Sequence, residues 1–184
     1  MLAFLDFEAS SLAKRGYPIE VAWVFEDGAA ESYMIRPAPG WEDWDAEAEA
    51  IHGIDRELLL RDGIAHNIVA RHMVDVLAGH DLVASAPSWD GKWLSALLRA
   101  AAFPRHTLRL RDSDEAFREC AETVLRPAAD ADRLAGLVAE VIAQTEREPG
   151  RAAAHRALPD AQEERARWLA VRAGAQALAE RLRG

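Results

Sequence analysis

The sequence predicts an α/β fold, and two observations carry that expectation. Residues 2–7, 18–26 and 30–36 read as strands, with Glu26-Asp27-Gly28 as a hairpin turn between the second and third. Helical and strand-like segments then alternate along the rest of the chain, the order of an α/β domain.

The elements follow in sequence. The first strand opens with Leu2, Phe4 and Leu5, an apolar start that heads into a core. Tyr17-Pro-Ile-Glu-Val-Ala-Trp23 carries the second strand, and residues 37–44, rich in Pro, Gly and Trp, read as a loop. Short helices are expected at 45–50 and 55–61, and a longer one at 66–78. A strand at 81–85 leads through Pro87 and Ser88, a loop and an N-cap, into a helix at 89–102. Trp89, Trp93, Leu94, Leu97 and Leu98 recur on that helix at core-facing spacing. A short strand at 107–111 precedes helices at 113–124, 131–147 and 159–182. On the last of these, Trp168, Leu169, Val171, Ala175 and Leu178 form an apolar stripe read as core. Gly150–Ala154, after Pro149, reads as a mobile segment.

Asp6 and Glu8 lie at the end of the first strand, inside an otherwise apolar run. Two residues apart on a strand, they project to one face. Like charges side by side in a core are expensive unless a cation compensates them. Carboxylate oxygens suit Mg²⁺ or Mn²⁺. The same Asp-x-Glu spacing recurs at Asp45/Glu47 and Asp55/Glu57, but in polar, helix-like sequence that calls for no such ion.

Two further constellations stand out. Asp90 falls in the first turn of the helix at 89–102, a position that the helix dipole alone favours for an acid. His155 has Asp160 five positions on, and on one continuous helix their side chains would point about 140° apart. Pro159 favours the first turn of a helix. His155 is therefore expected before, or at the start of, the last helix, with Asp160 in its first turn, so that both reach one site.

In this order, the residues resemble the DnaQ-like (DEDDh) 3′→5′ exonucleases of the ribonuclease H-like superfamily. Asp6 and Glu8 are similar to the first motif, Asp90 to the second, and His155 with Asp160 to the third. Ala9-Ser10-Ser11-Leu12 resembles the segment after the first motif, and Ile51-His52-Gly53-Ile54 one that lies near the substrate's 3′ end. Ser11 stands where a glycine is usual, and Pro159 lies inside the third motif.

The resemblance spans nearly the whole chain and implies one exonuclease domain over residues 1–184. Its fold would be a mixed five-stranded sheet with helices on both sides. It also implies a metal-dependent hydrolase that releases 5′-mononucleotides from a 3′ end. Asp6, Glu8, Asp90 and Asp160 would hold two divalent cations, Mg²⁺ or Mn²⁺, and His155 would be the general base. Ser10, Ser11, Leu12, His52 and Gly53 would hold the terminal nucleotide. Two other readings stay open: a non-catalytic nucleic-acid-binding module with the same fold, and a phosphodiesterase for very short oligonucleotides.

Composition narrows the partners. The 184 residues carry a net charge of −9, which argues against tight, non-specific hold on long nucleic acid and favours single-stranded or short substrates engaged at the end. Lys14-Arg15 and Lys92 are candidates for local positive charge. No apolar stretch is long enough to span a membrane, and no basic region precedes an apolar signal segment, so no membrane partner is expected. The one cysteine, Cys120, read as at least half-buried, is compatible with a reducing cytoplasm. There is no zinc-type Cys/His cluster, Walker loop or dinucleotide fingerprint. RNA and DNA are not distinguished, and the oligomeric state is open, a homodimer included.

Overall fold

Six strands form one mixed sheet in the computed structural model, which describes residues 1–145 and 155–183. They are β1 (Leu2–Ala9), β2 (Pro18–Phe25), β3 (Ala30–Arg36), β4 (Ile64–Ala65), β5 (Asp81–Ala84) and β6 (Leu110–Asp112), in the spatial order β4-β3-β2-β1-β5-β6. β1, β2 and β3 are antiparallel neighbours, whereas β5 runs parallel to β1 and β6 parallel to β5.

The sheet has one strand more than the five expected. β4 is two residues long and pairs with Ile35 and Arg36, too short to leave a period in the sequence. Gly63 permits that approach, because a Cβ there would lie 2.4 Å from the Leu59 carbonyl oxygen and 2.8 Å from the Arg36 nitrogen.

Seven helices complete the described chain: α1 (Ala46–His52), α2 (Arg56–Asp62), α3 (His66–Leu77), α4 (Pro87–Ala100), α5 (Ser113–Leu125), α6 (Ala131–Ala143) and α7 (Ala157–Arg183). Asp45 and Asp55 cap α1 and α2, accepting from the Glu47 and Glu57 amides at 2.9 and 2.8 Å. The second and third Asp-x-Glu pairs are thus helix starts, with the acid of each first turn favoured by the helix dipole.

Alternation along β1 splits the core in two. Ala3, Leu5 and Phe7 join Val21, Trp23, Met73, Trp93, Leu94 and Leu97 beneath α3 and α4. Phe4 points the other way, into a cluster with Phe117, Val141, Trp168, Val171 and Ala175 of α5, α6 and α7. Asp6 and Glu8 have Phe4's parity and emerge on the α7 face, where β1 leaves the core. β2, paired on both sides, is buried along all eight residues.

Two stripe assignments need correction. Trp89, in the first turn of α4, is 42% exposed, stacked on Trp93 and beneath Lys92. Leu169 is also exposed, at the margin of the α7 stripe whose other members are buried. The segment expected to be mobile, Gly150–Ala154, lies outside the described residues; the helix expected at 131–147 ends earlier, at Ala143 with Gln144 as its C-cap. No helix among the described residues is long and apolar enough to cross a membrane.

Candidate active site

β1 delivers Asp6 and Glu8 to the end of the sheet, and the first turn of α7 brings Asp160 to them. One carboxylate oxygen from each lies within 4.8 Å of the other two. Asp90 approaches from the first turn of α4, because β5, parallel to β1, ends at the same edge and feeds that helix. It is 4% exposed, and its Oδ2 has no hydrogen-bond partner.

Such crowding has an electrostatic signature. Burial, followed by the charges of Asp90, Glu8, Asp160 and Glu20, pushes the Asp6 carboxyl up to about 9. Burial, with Asp160 and Glu20, raises Glu8 to about 7, although Arg156 opposes the rise. Burial raises Asp90 to about 7 against the pull of backbone hydrogen bonds from Phe7, Ala86 and its own residue. The protein alone thus leaves these groups short of positive charge. Converging hard oxygen donors, one of them a buried oxygen with no partner, fit a divalent cation of the Mg²⁺ or Mn²⁺ type.

Glu20, not singled out from the sequence, organises the cluster's edge. It pairs directly with Glu8 across β1 and β2 and is 3% exposed. Its carboxylate accepts from Arg156 Nε and Nη2 and from the Ala157 amide, so β2 fixes the start of α7. The signal was the same as for Asp6 and Glu8: an acid inside an apolar strand.

A cleft of about 380 Å³ opens over the carboxylates. Asp6, Glu8, Asp90 and His155 line it, together with Ser11, Leu12, Ile51, His52 and Trp89. His155 is exposed, with a left-handed φ of 48°, two residues ahead of α7. Leu12, Ile51 and Trp89 present exposed apolar surface. Lys92 packs across Trp89 and Trp93 and donates to the Ala13 carbonyl at 2.8 Å.

The nucleotide-holding candidates divide. His52 is 5% exposed; its Nδ1 accepts from the Ile54 amide at 3.0 Å, and its Nε2 has no partner. Burial lowers its pKa, so the neutral ring carries its proton on Nε2. Ser11 reaches the cleft, but its hydroxyl donates to Asp43 and accepts from the Ala13 amide. Its carbonyl is so close to Gly16 that a Cβ there would sit 2.3 Å away. Ser10 is fully buried, does not line the cleft, and accepts from the Tyr17 amide. Gly53 closes α1 with φ 67° and likewise lies off the cleft wall.

This acid-lined cleft lies at the end of a mixed sheet whose α/β fold matches that of solved exonuclease I structures. No family model and no curated protein sequence matches the chain. Among solved structures, the zinc-bound exonuclease I–single-stranded DNA complex of E. coli superposes with a TM-score of 0.62 at 16% identity, over 90% of this chain and 38% of that one. A product-bound exonuclease I has the same score and identity, over 98% and 45%. Exonuclease I from Methylocaldum szegediense gives 0.61 at 17% identity, over 91% and 40%. The chain spans about two fifths of the length of these exonucleases.

Proposed function

We propose that residues 1–184 form one exonuclease domain that removes nucleotides from the 3′ end of single-stranded or short nucleic acid by metal-dependent hydrolysis. The observation that carries this reading is the convergence, from three separate parts of the chain, of Asp6, Glu8 and Asp160 on one another and of Asp6, Glu8, Asp90 and His155 on one cleft. The matched fold supports it, as does the binding of single-stranded DNA and of a dT13 oligonucleotide by the E. coli exonuclease I structures it resembles.

In this reading, Asp6, Glu8, Asp90 and Asp160 hold two divalent cations, Mg²⁺ or Mn²⁺. Such ions stabilise the attacking and leaving oxygens of a phosphodiester displacement. His155 takes a proton from the attacking water on its imidazole. The water oxygen bonds to the terminal phosphorus, and the bond to the 3′ oxygen of the preceding nucleotide breaks. A 5′-mononucleotide leaves, and the released 3′ oxygen takes a proton from solvent to become the new 3′ hydroxyl of the shortened strand. The neutral His52 offers Nε2–H to an oxygen of the terminal nucleotide, while Leu12, Ile51 and Trp89 offer apolar surface to its base. Ser11 contributes backbone rather than hydroxyl. Ser10 and Gly53 act behind the wall, by shaping the loop and the end of α1.

The test is a 5′-labelled single strand incubated with Mn²⁺, in DNA and RNA versions from two nucleotides upward. A ladder shortening from the 3′ end, with 5′-mononucleotide products, is expected. Binding without shortening would favour a non-catalytic module, and internal cuts would remove the exonuclease assignment.

A further inference from the structure

Between Asp90 and Asp112, the chain carries no carboxylate and five cationic side chains, Lys92, Arg99, Arg105, Arg109 and Arg111, in a protein whose net charge is −9. Arg111 is spent on ion pairs with Asp81 and Glu119. Arg105 and Arg109 are exposed and, among the described residues, join no salt bridge. They line a groove of about 360 Å³ whose opposite wall is α4, with Gly91 and Ser95. Gly91 directly follows Asp90 of the acid-lined cleft, so the first two turns of α4 border both the cleft and the groove.

The loop that presents these arginines is held in place. Ala102 takes a left-handed φ of 63°, and the Phe103 amide donates to the Leu98 carbonyl at 2.8 Å, closing the end of α4. Thr107 closes the following turn onto the Pro104 carbonyl with both its amide and its hydroxyl, at 3.0 and 2.8 Å. Arg105 and His106 sit at the corners of that turn, and Arg105 Nε donates to His106 Nε2 at 2.9 Å. Donors fixed at a turn, beside a helix wall with no acid, are arranged to meet anionic oxygens.

We infer that this groove binds the phosphate backbone of the strand upstream of its 3′ end, with Arg105 and Arg109 as the phosphate contacts. The inference rests on the exonuclease reading for the strand's direction, not for the binding itself. Local cationic charge resolves the difficulty that overall acidity poses for a nucleic-acid-binding protein: the field that matters is that of the groove, within a Debye length of the strand. Because phosphate is the contact, DNA and RNA strands are held alike.

The test is anisotropy of labelled dT3, dT12 and U12 in Ca²⁺ buffer across a salt series. Wild type is expected to bind both 12-mers more tightly than dT3. In Arg105→Ser/Arg109→Ser, 12-mer affinity should fall at least about tenfold at low salt, and the salt slope should shrink by about 1.4, roughly 0.7 for each lost contact on a single strand. Arg105→Lys/Arg109→Lys should keep the slope, which separates charge from loop structure. Equal 12-mer affinity and slope in wild type and the serine variant would overturn the inference. So would equal wild-type affinity for dT3 and dT12. Shortening of dT3 by wild type in Mn²⁺ tests the exonuclease reading separately, since it needs no upstream strand.

Discussion

Arg156 grips Glu20 with two nitrogens, Nη2 2.6 Å from Oε1 and Nε 3.0 Å from Oε2, across 136 residues of chain. The Ala157 amide adds a third donor, 3.0 Å from Oε2. Glu20 is buried beside Glu8, so the guanidinium partly offsets charge in the acid cluster while tying α7 to β2. His155 and Asp160 flank this anchor in sequence, and their positions depend on it.

Arg156→Ala is therefore expected to act on both stability and activity. It leaves a buried carboxylate with one donor instead of three, a loss of roughly 2–3 kcal/mol given that the arginine is itself half-exposed. Nuclease turnover should fall as well, because the start of α7 loses its fixed register. Urea unfolding and a labelled-strand assay check the two effects. An alanine variant as stable and as active as wild type would show that the pair is ornamental.

The carboxylates make a different prediction. Asp6→Ala, Glu8→Ala, Asp90→Ala and Asp160→Ala should each abolish shortening while the protein stays folded, since each removes a charge the cation needs. Two like charges about 4 Å apart repel by about 4 kcal/mol at an effective dielectric of 20. Asp6→Asn should accordingly melt no lower than wild type in EDTA. Mn²⁺ should raise the melting temperature of wild type more than that of Asp6→Asn. Equal Mn²⁺ shifts would remove Asp6 from the metal site.

The raised Asp6 carboxyl also sets the sign of a pH effect in EDTA. Its folded-state value, about 9, lies far above the ordinary 3.8, so the folded state holds a proton the unfolded state has lost. Stability from this group is fully present below 3.8 and is lost as pH rises through 9. Glu8 and Asp90, near 7, act the same way over a lower range. His52, whose pKa burial lowers, acts oppositely but below its ordinary 6.5. Above about pH 8 Glu8 and Asp90 have shed nearly all their protons, so the interval from pH 8 to 9 is dominated by Asp6, with a loss of up to about 1.4 kcal/mol at about 1.4 kcal/mol per unit. Melting curves of wild type should fall across it and those of Asp6→Asn should stay flatter. A wild-type curve flat or rising over this interval would contradict the buried, crowded carboxyl.

Much of this site was legible because of one recurring signal, an acid in an apolar strand. That signal marked Asp6 and Glu8 and set them apart from Asp45 and Asp55, which turned out to be helix caps. It was equally present at Glu20, where it went unread because the arginine that answers it is 136 residues away. Pairing across such distances leaves no local period. β4 was invisible for the opposite reason, being too short to have one. Trp89 shares the spacing of a core stripe, but it stands in the first turn of α4 and stays exposed, and spacing carries no information about where a neighbour stops. Arg105 and Arg109 were hidden by the net charge, which averages a local cationic groove into an acidic whole.

His155 is separable from the carboxylates by what its removal should spare. Its imidazole lines the cleft but stands on exposed chain ahead of α7, outside the trio of oxygens formed by Asp6, Glu8 and Asp160. As a proton acceptor it contributes to the rate and not to the hold on metal. His155→Ala should lower turnover by roughly 10²–10⁴-fold. The Mn²⁺ thermal shift should remain close to that of wild type, and so should affinity for an oligonucleotide in Ca²⁺. Single-turnover cleavage and thermal melts on the same preparation give all the quantities needed. Loss of the Mn²⁺ shift in His155→Ala would make the histidine a ligand, and turnover near the wild-type rate would leave the attacking water's proton to another group.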